Sequence, residues 1–344
     1  MLSKIQFGHI VISEASPVVI IAEVACEHQG DLDVAKRLVR LAKEAGADIV
    51  KFQLHLPDEE MLPGSIHFWA GSMDEILARV NLPLESHQEL FEYSRSVGIQ
   101  YLCTPFCAKA ADMLDELGVE AFKTGSGEMT NIPMLRHIAR KGKPMIVSTG
   151  MSTLQEIEDT VSVLKYEGTQ YMLMHCVSAY PPRYDQVNLG VIPCLMEKFG
   201  CMVGYSDHTQ DIWTVLGAVS LGAKVIEKHF TEDRLLKGPD HHVSLEPNEF
   251  RIMVEAVRKL ESALGAEKVI GEEEAVVREW AHHSVVSLRD IPRGTLITPE
   301  MVGVKRPGSG VPAKFLGEFI GRIAKENISA NSLLCWDVVE RISQ

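Results

Sequence analysis

Short apolar runs and amphipathic helical stretches alternate eight times between residues 18 and 264 of this chain. The stretch 32–46 is the clearest helix, with apolar residues at helical spacing and Gly46 at its end. Almost wholly apolar strands that alternate with helices are typical of a parallel sheet covered on its outer face. Eight such units predict an α/β fold, a closed (β/α)8 TIM barrel. The predicted strands are 18–23, 49–54, 99–104, 121–124, 144–148, 171–175, 202–206 and 225–229.

An open, doubly wound sheet is the structural alternative. It would normally carry a glycine-rich fingerprint after the first strand, and the sequence has none there. Residues 4–12 (KIQFGHIVI) predict a hairpin at the barrel floor, and 56–72 a long loop on the face where barrels carry chemistry. After about residue 265 the alternation stops. We expect a barrel domain at 1–265, a linker at 266–283 and a small β-rich domain at 284–344.

The composition limits the partners of the chain. A formal net charge of −13 argues against a nucleic-acid partner, which would demand a basic surface. No apolar stretch is long enough to span a bilayer, and the N-terminus does not resemble a signal peptide. We therefore expect no membrane association and a cytoplasmic location. Seven cysteines without a CxxC pair are consistent with reduced thiols.

Nearly every predicted strand ends in polar side chains, at the barrel face where active sites lie. Side chains two apart on a strand share a face, so Glu227 and His229 point the same way, as do Lys51 and Gln53. Buried charges are costly unless they are paired or liganded, so their joint presence predicts a site. The other members are Glu23, Thr104, Lys123, Ser126, Glu128, Ser148, His175, Ser178, Tyr180, Ser206, Asp207 and His208.

These residue types indicate a particular chemistry. Two lysines with Ser and Thr hydroxyls suit a small phosphate or carboxylate anion. His208 and His229 could bind a divalent metal with positions left open for substrate, and Glu227 could orient His229 or the substrate. An open metal beside an anion pocket favours activation of a carbonyl, and hence carbon–carbon bond formation with a phosphorylated enol. The alternative is that both histidines hold backbone groups and bind no metal.

Several strings in the sequence, in this order, resemble those of the sialic acid synthases. They are IIAEVACEHQGD, VKFQ, CTPF, KTGSGE, VSTGM, HCVSAYP, GYSDHT, VIEKHFT and KGPDHHVSLEP, and the later KRPGSG region resembles the antifreeze-like (SAF) domain of that family. The resemblance covers nearly the whole chain. It implies a (β/α)8 barrel followed by a small β-clip domain. It also implies an enzyme that condenses phosphoenolpyruvate with an N-acetylmannosamine-type sugar to give a nine-carbon 2-keto acid, N-acetylneuraminate or a related acid, and phosphate.

The resemblance also implies roles for individual residues. His208 and His229 align with the ligands of a divalent metal, Mn²⁺ first, with Mg²⁺ or Co²⁺ as alternatives. The positions that bind phosphoenolpyruvate are Lys51, Thr104, Lys123, Ser126, Ser148 and Ser206. The positions on the sugar side or at the reacting centre are Glu23, Gln53, Ser178, Tyr180 and Asp240. The expected catalytic residues are Glu23, Lys51, Lys123, Glu128 and Glu227.

The resemblance further implies a homodimer with exchanged C-terminal domains. Arg306 matches the arginine that the small domain of a partner subunit offers to the sugar. The chain departs from the family at Glu27, where an Asn is common, and at Ser178, where many bacterial members have Asn. Both changes touch the sugar side. They leave the identity of the sugar open.

Other functions fit parts of the same pattern. A legionaminic-type synthase that uses a diacetamido-trideoxyhexose is excluded by no residue, and the sugar could carry a 6-phosphate. An enzyme that makes a seven- or eight-carbon sugar acid phosphate would need a further basic pocket, for which Arg183, Arg234 or Lys237 could serve. A non-catalytic sugar-binding or coat-assembly protein is a fourth possibility. The retained histidine and lysine pairs argue against it.

Overall fold

The computed structural model describes residues 4–62, 64, 67–68 and 71–340. The chain divides into two compact units, of which the first ends at Gly265 and the second begins at Ala266. Helix Glu272–Ala281 therefore belongs to the second unit. The predicted subdivision at residue 284 stays a prediction.

Eight parallel strands form the sheet of the first unit, in the spatial order third, second, first, eighth, seventh, sixth, fifth, fourth. The third and fourth strands end this ladder and pack against each other, which nearly closes the barrel. The predicted (β/α)8 architecture is confirmed. In chain order, the barrel strands are Val19–Ala25, Ile49–Leu54, Gln100–Pro105, Phe122–Thr124, Met145–Ser148, Tyr171–Cys176, Val203–Asp207 and Val225–His229.

Helices cover the outside of the barrel. The first shows why they form: the side chain of Asp31 caps it by accepting from the backbone N–H groups of Asp33 and Val34, and its buried residues recur at helical spacing. Among the residues that the structure describes, no helix combines the length and apolar character that a bilayer crossing requires. The α-helices of this unit are Leu32–Glu44, Pro57–Glu60, Met73–Val80, Leu84–Val97, Ala108–Leu117, Ile132–Ala139, Leu154–Tyr166, Tyr184–Val187, Val191–Phe199, Trp213–Ser220 and Pro247–Ala263.

The predicted N-terminal hairpin is present and closes the lower end of the barrel. Its strands Ile5–Phe7 and Ile10–Ile12 are antiparallel. Their buried apolar side chains join one cluster with the inward residues at the N-terminal ends of the barrel strands. Gly204 is needed in this layer, because a Cβ there would lie 2.9 Å from Cβ of Val225 and 3.3 Å from Cε of Met172.

The loop predicted at 56–72 is only partly described. It contains helix Pro57–Glu60 and an antiparallel pair of two-residue strands, His67–Phe68 and Gly71–Ser72. Residues 63, 65–66 and 69–70 of the predicted loop lie outside the described residues.

The second unit is built from short antiparallel pairs. Ser284–Ser287 pairs with Val302–Lys305, and Ile323–Ala324 pairs with Val339–Glu340. The ring of Trp336 stacks on that of Phe319 with centroids 4.5 Å apart. The short helix Leu316–Phe319 and helix Glu272–Ala281 complete the unit. Its core consists of Val285, Ile291, Ile297, Val302, Val311, Phe319, Ala324, Ile328, Leu334 and Val339.

Candidate active site

The inward-facing positions of the barrel strands change from apolar at the N-terminal end to polar at the C-terminal end. Because side chains on a strand alternate between faces, residues two apart continue the same inner face. The lower inward residues, which pack with the hairpin, are Val19, Ile21, Ile49, Leu102, Ala121, Ile146, Met172, Met174, Met202 and Val225. The polar residues that continue these faces are Glu23, Lys51, Gln53, Thr104, Lys123, Ser148, Ser206, Glu227 and His229. A polar layer therefore lies on top of the apolar one.

Two lysines and two glutamates form the centre of this polar layer. Nζ of Lys51 lies 2.6 Å from Oε2 of Glu23 and donates to Oγ1 of Thr104 at 3.1 Å. Oε2 of Glu227 lies 3.8 Å from Nζ of Lys51, and its Oε1 lies 3.7 Å from Nζ of Lys123. All four charged side chains are buried. Glu227 thus lies between two ammonium groups.

Burial and mutual charge set the pKa values of this centre. Burial raises the pKa of Glu227, but the charges of Lys123 and Lys51 outweigh it and hold that pKa at about 2. Burial lowers the pKa of Lys123. At Lys51, burial lowers the pKa and the carboxylates of Glu227 and Glu23 raise it, and the pKa is raised on balance. Burial raises the pKa of Glu23. Ser206 donates to Oε1 of Glu227 at 3.0 Å. Glu227 is therefore ionised at neutral pH.

Serine hydroxyls lie on one side of this centre. The hydroxyls of Ser126 and Ser148 are hydrogen-bonded at 2.9 Å. Gly150 permits their close approach, because a Cβ there would lie 2.5 Å from the hydroxyl oxygens of both Ser126 and Ser178. Glu128 follows in the same turn as Ser126, and burial raises its pKa to about 7. The group can thus exchange a proton near neutral pH.

Two histidines lie where the seventh and eighth strands end. The ring centroids of His208 and His229 are 5.3 Å apart, and the ring of Tyr180 stacks on His208 at 4.0 Å. Nδ1 of His208 pairs with the carbonyl oxygen of Val177 at 2.9 Å, which makes Nδ1 the donor and Nε2 the acceptor nitrogen. The structure therefore brings the predicted histidine pair together with the predicted tyrosine.

Among the described residues, one group of three candidate ligands could hold a metal ion, and it includes His229 of the predicted pair. Candidate ligand atoms of Glu27, His229 and Asp240 all lie within 4.8 Å of one another. Oε1 of Glu27 accepts from the hydroxyl of Ser244 at 2.8 Å and lies 3.3 Å from Nδ1 of His229, while its buried Oε2 has no hydrogen-bond partner. An unsatisfied carboxylate oxygen beside an imidazole fits a divalent cation. His208 lies beside this set but is not a member of it.

Sequence reasoning missed several residues of this region. Glu27 follows the first strand, so the rule about polar strand ends predicts it, but the resemblance to the family marks it only as a departure. Ser244, which binds Glu27, lies in a loop that no periodic signal marks. His55 lies two residues beyond Gln53. Its Nε2 is hydrogen-bonded to Oε1 of Gln53 at 3.0 Å, and its Nδ1 to Oε2 of Glu60 at 2.9 Å. Spacing alone would have placed His55 on the side of Gln53.

Arg306 lies in the second unit. Its guanidinium is 5.3 Å from the ring centroid of Trp280, and its Nε donates to the carbonyl oxygen of Ala281 at 3.0 Å. These contacts hold an exposed arginine in one place. Its expected contact with the sugar of a partner subunit stays a prediction.

Similarity to known proteins covers both units. The NeuB family matches residues 38–269, and the SAF domain matches residues 282–340. The N,N'-diacetyllegionaminic acid synthase of Campylobacter jejuni is 38% identical over 92% of this chain and 98% of that protein. The N-acetylneuraminate-9-phosphate synthase of Homo sapiens is 36% identical over 94% of this chain and 93% of that protein.

A solved structure extends the similarity to the fold. The crystal structure of the N-acetylneuraminic acid (sialic acid) synthetase from Leptospira borgpetersenii, in complex with citrate, matches with a TM-score of 0.73 at 34% sequence identity. The match covers 80% of this chain and 95% of that chain. The chain therefore belongs to the NeuB family, carries a C-terminal SAF domain and is an enzyme.

Proposed function

We propose that the chain condenses phosphoenolpyruvate with an N-acetylated hexosamine and water, giving a nine-carbon 2-keto sugar acid and phosphate. The observation that carries this proposal is the burial of Lys51 and Lys123 on either side of Glu227, close to the metal-capable set. Burying two ammonium groups so near each other costs free energy that a purely structural role would not require. A small substrate with two anionic groups would place one negative charge beside each lysine.

The lysines and serines would hold the two anionic groups of phosphoenolpyruvate. Nζ of Lys123 donates to the carbonyl oxygen of Thr124 at 3.3 Å, and an ammonium group has three N–H donors, so it has capacity for phosphate oxygens. The hydroxyls of Ser126 and Ser148 would donate to the same oxygens. Lys51, on the opposite side of Glu227, would face the carboxylate of the substrate. These fixed charges need no reorganisation during the reaction.

Glu27, His229 and Asp240 would hold a divalent cation, for which we propose Mn²⁺, with His208 beside them. A set that mixes imidazole nitrogen with carboxylate oxygen suits such a cation, with Mg²⁺ or Co²⁺ as alternatives. When bound there, the cation supplies Lewis-acid polarisation of a carbonyl oxygen. The carbonyl is the open-chain aldehyde of the sugar.

The acidic side chains would serve the bond-forming steps. The enol carbon of phosphoenolpyruvate forms a bond to the aldehyde carbon, water adds to the carbon that carries the phosphate ester, and the carbon–oxygen bond to phosphate breaks. The aldehyde oxygen gains one proton, and the water loses two as it becomes the ketone oxygen, the second leaving with phosphate. One acid–base group can therefore take a proton from the water and give one to the aldehyde oxygen. Glu23, fixed by Lys51 and Gln53, is our candidate for this group. The carboxylate of Glu227 would stabilise the positive charge that develops at the carbon carrying the phosphate ester.

For the sugar, we propose a free hexosamine of the N-acetylmannosamine type. Arg183 and Arg234, two basic side chains that could receive a sugar phosphate, are already paired with the carboxylates of Asp185 and Glu249. Ser178 and Tyr180 would complete this side of the site. A second candidate is a diacetamido-trideoxy sugar, favoured by the similarity to the legionaminic acid synthase of Campylobacter jejuni.

A phosphate-release assay tests the function directly. The protein, phosphoenolpyruvate and Mn²⁺ are combined with N-acetylmannosamine, its 6-phosphate or a diacetamido-trideoxyhexose, and product masses are recorded. We expect phosphate and a nine-carbon acid with a free sugar, silencing by a chelator and recovery with added Mn²⁺. Absence of phosphate release with every sugar would refute the proposal, and turnover that ignores the chelator would refute its metal part.

We also propose a homodimer, in which Arg306 of one subunit reaches the sugar in the barrel of the other, and a cytoplasmic location. A chain cut before residue 284 should still bind phosphoenolpyruvate, but its KM for the sugar should be much higher. An unchanged KM would contradict the exchange of C-terminal domains.

A further inference from the structure

A chain of hydrogen bonds runs from Glu23 to a second carboxylate outside the polar layer. Nε2 of Gln53 donates to Oε1 of Glu23 at 2.8 Å. Nε2 of His55 lies 3.0 Å from Oε1 of Gln53, and Nδ1 of His55 lies 2.9 Å from Oε2 of Glu60. The chain therefore joins carboxylate, amide, imidazole and carboxylate in that order.

In the structure, the amide of Gln53 faces Glu23 through its nitrogen and His55 through its oxygen. An amide nitrogen only donates and an amide oxygen only accepts. Because Gln53 donates to the carboxylate of Glu23, its oxygen must accept a hydrogen bond from Nε2–H of His55. An unprotonated Nε2 would favour the reversed amide, whose oxygen would then face a carboxylate oxygen of Glu23. The protonated Nε2 of His55 therefore selects the orientation of Gln53.

His55 is itself held on several sides. Its ring stacks on Phe106 with centroids 4.0 Å apart and planes inclined by 16°. Asn81 makes two hydrogen bonds to the backbone of His55. Its Oδ1 accepts from the N–H of His55 at 3.3 Å, and its Nδ2 donates to the carbonyl oxygen of His55 at 2.7 Å. Glu60 also accepts from the backbone N–H of Leu56. A residue fixed at ring and backbone can impose an orientation on its neighbour.

We propose that His55, held by Glu60, is a positioning residue that fixes the amide of Gln53 and thereby keeps Glu23 directed at Lys51. The inference goes beyond the proposed function and rests on it only for the part that Glu23 plays in the reaction. His55 touches neither the lysine pair nor the metal-capable set through any hydrogen bond described above. Its effect is therefore expected on the chemical step and not on capture of the anion.

Two substitutions separate positioning from simple filling of space. In His55→Gln, the side-chain amide nitrogen can reach the place of Nε2 and donate to Gln53. In His55→Asn, the shorter amide nitrogen reaches the place of Nδ1 and can bond only Glu60. We expect His55→Asn to lower kcat about 100-fold, the typical cost of a small misplacement, with KM for phosphoenolpyruvate nearly unchanged. His55→Gln should recover most of that loss.

The matched controls are His137→Asn and His137→Gln. His137 also pairs with a carboxylate, that of Asp112 at 2.7 Å, but on the outer helices. Both controls should keep the kcat of the parent. Equal losses in the two His55 variants, or a loss in KM for phosphoenolpyruvate alone, would overturn the positioning role.

A measurement on the parent protein keeps the proposal independent of activity and of folding of the variants. Proton-coupled nitrogen NMR of histidine-labelled protein reports which ring nitrogens carry hydrogen. A protonated Nε2 on His55 is expected, and its absence would overturn the proposal even in an active enzyme. If instead Nε2 is protonated but no sugar yields phosphate, the proposed function fails while the orientation of Gln53 stands.

Discussion

The two faces of the seventh and eighth barrel strands both bury charges, but they use them differently. On the outer face, Nζ of Lys228 lies 2.7 Å from Oδ2 of Asp207, and both side chains are 0% exposed. Asp207 also accepts from the hydroxyl of Tyr205 at 2.8 Å and from the N–H and hydroxyl of Thr209, each at 2.9 Å. On the inner face of the same strands, Glu227 makes one hydrogen bond to Ser206 and its Oε2 has no hydrogen-bond partner.

The difference between the faces lies in unused bonding capacity. A buried charge whose lone pairs and protons are all used holds strands together and has nothing left for a ligand. A buried charge with an unsatisfied oxygen is stable only because opposite charges stand near it, and it can rearrange around a substrate. Asp207 belongs to the first kind, and Glu227 to the second. Removing a charge should therefore damage stability on the outer face and function on the inner one.

The outer face should give the largest effect. Lys228→Met leaves the carboxylate of Asp207 buried without its cation, and breaking a buried pair in this way costs about 3–5 kcal/mol. Urea unfolding measures the loss. Lys198→Met is the matched control, because its pair with Glu158 is exposed and should be worth about 0–1 kcal/mol. Equal losses in the two variants would remove the contrast between the faces.

On the inner face, Lys123→Met should act on the reaction. It removes one of the two cations beside Glu227, and loss of one preorganised donor lowers kcat about 10²–10³-fold. Its stability should stay closer to the parent than that of Lys228→Met, because Glu227 keeps the second ammonium group, that of Lys51, 3.8 Å away. Steady-state kinetics with phosphoenolpyruvate and urea unfolding provide both readouts. A stability loss as large as that of Lys228→Met, with kcat retained, would contradict the assignment.

Glu27→Gln should weaken metal binding by about 10–100-fold, because it replaces a carboxyl group, which can ionise when it binds a cation, with an amide that cannot. Calorimetric titration of the substrate-free protein with Mn²⁺ measures the affinity. Glu167→Gln is the control, since that carboxylate pairs with Arg136 and Arg140 on the outer helices. An unchanged Mn²⁺ affinity in Glu27→Gln would show that its unsatisfied oxygen does not serve a cation.

Glu128 should give an effect that is visible only as a dependence of stability on pH. Burial raises its pKa from 4.5 to about 7, so the folded protein binds the proton more tightly than the unfolded chain. This contribution to stability is present below pH 4.5 and is lost as pH rises to about 7, by at most about 1.4 kcal/mol per pH unit. Glu128→Gln should flatten that part of the profile in urea unfolding at several pH values. An identical slope in parent and variant would argue against the raised pKa.

The sequence predicted the barrel because its signal is local. A strand buried on both faces is a short apolar run between helices, and the eighth strand was placed at the residues where it lies, Val225–His229. The period of two then assigned Glu227 and His229 to one face. The inner polar layer follows from the same rule, applied strand by strand.

The metal-capable set could not be predicted in the same way, because it depends on contacts between distant loops. Ser244 meets Glu27 across 217 residues of sequence, and Asp240 lies in the same loop as Ser244. The path of such a loop is fixed by its packing in three dimensions and leaves no periodic trace. The pairing of Lys228 with Asp207 was also invisible, since alternation reports that Lys228 faces away from Glu227 but not what it meets.

The hairpin at residues 5–12 bears on how the substrates of the proposed reaction reach the lysines. Its four buried side chains fill the N-terminal end of the barrel, so substrates and products must enter and leave at the C-terminal end of the strands. Lys51 and Lys123 lie deep inside this opening at 3% exposure each, whereas Tyr180 is 44% exposed. For the proposed reaction we therefore expect phosphoenolpyruvate to bind before the sugar, which would lie nearer the opening.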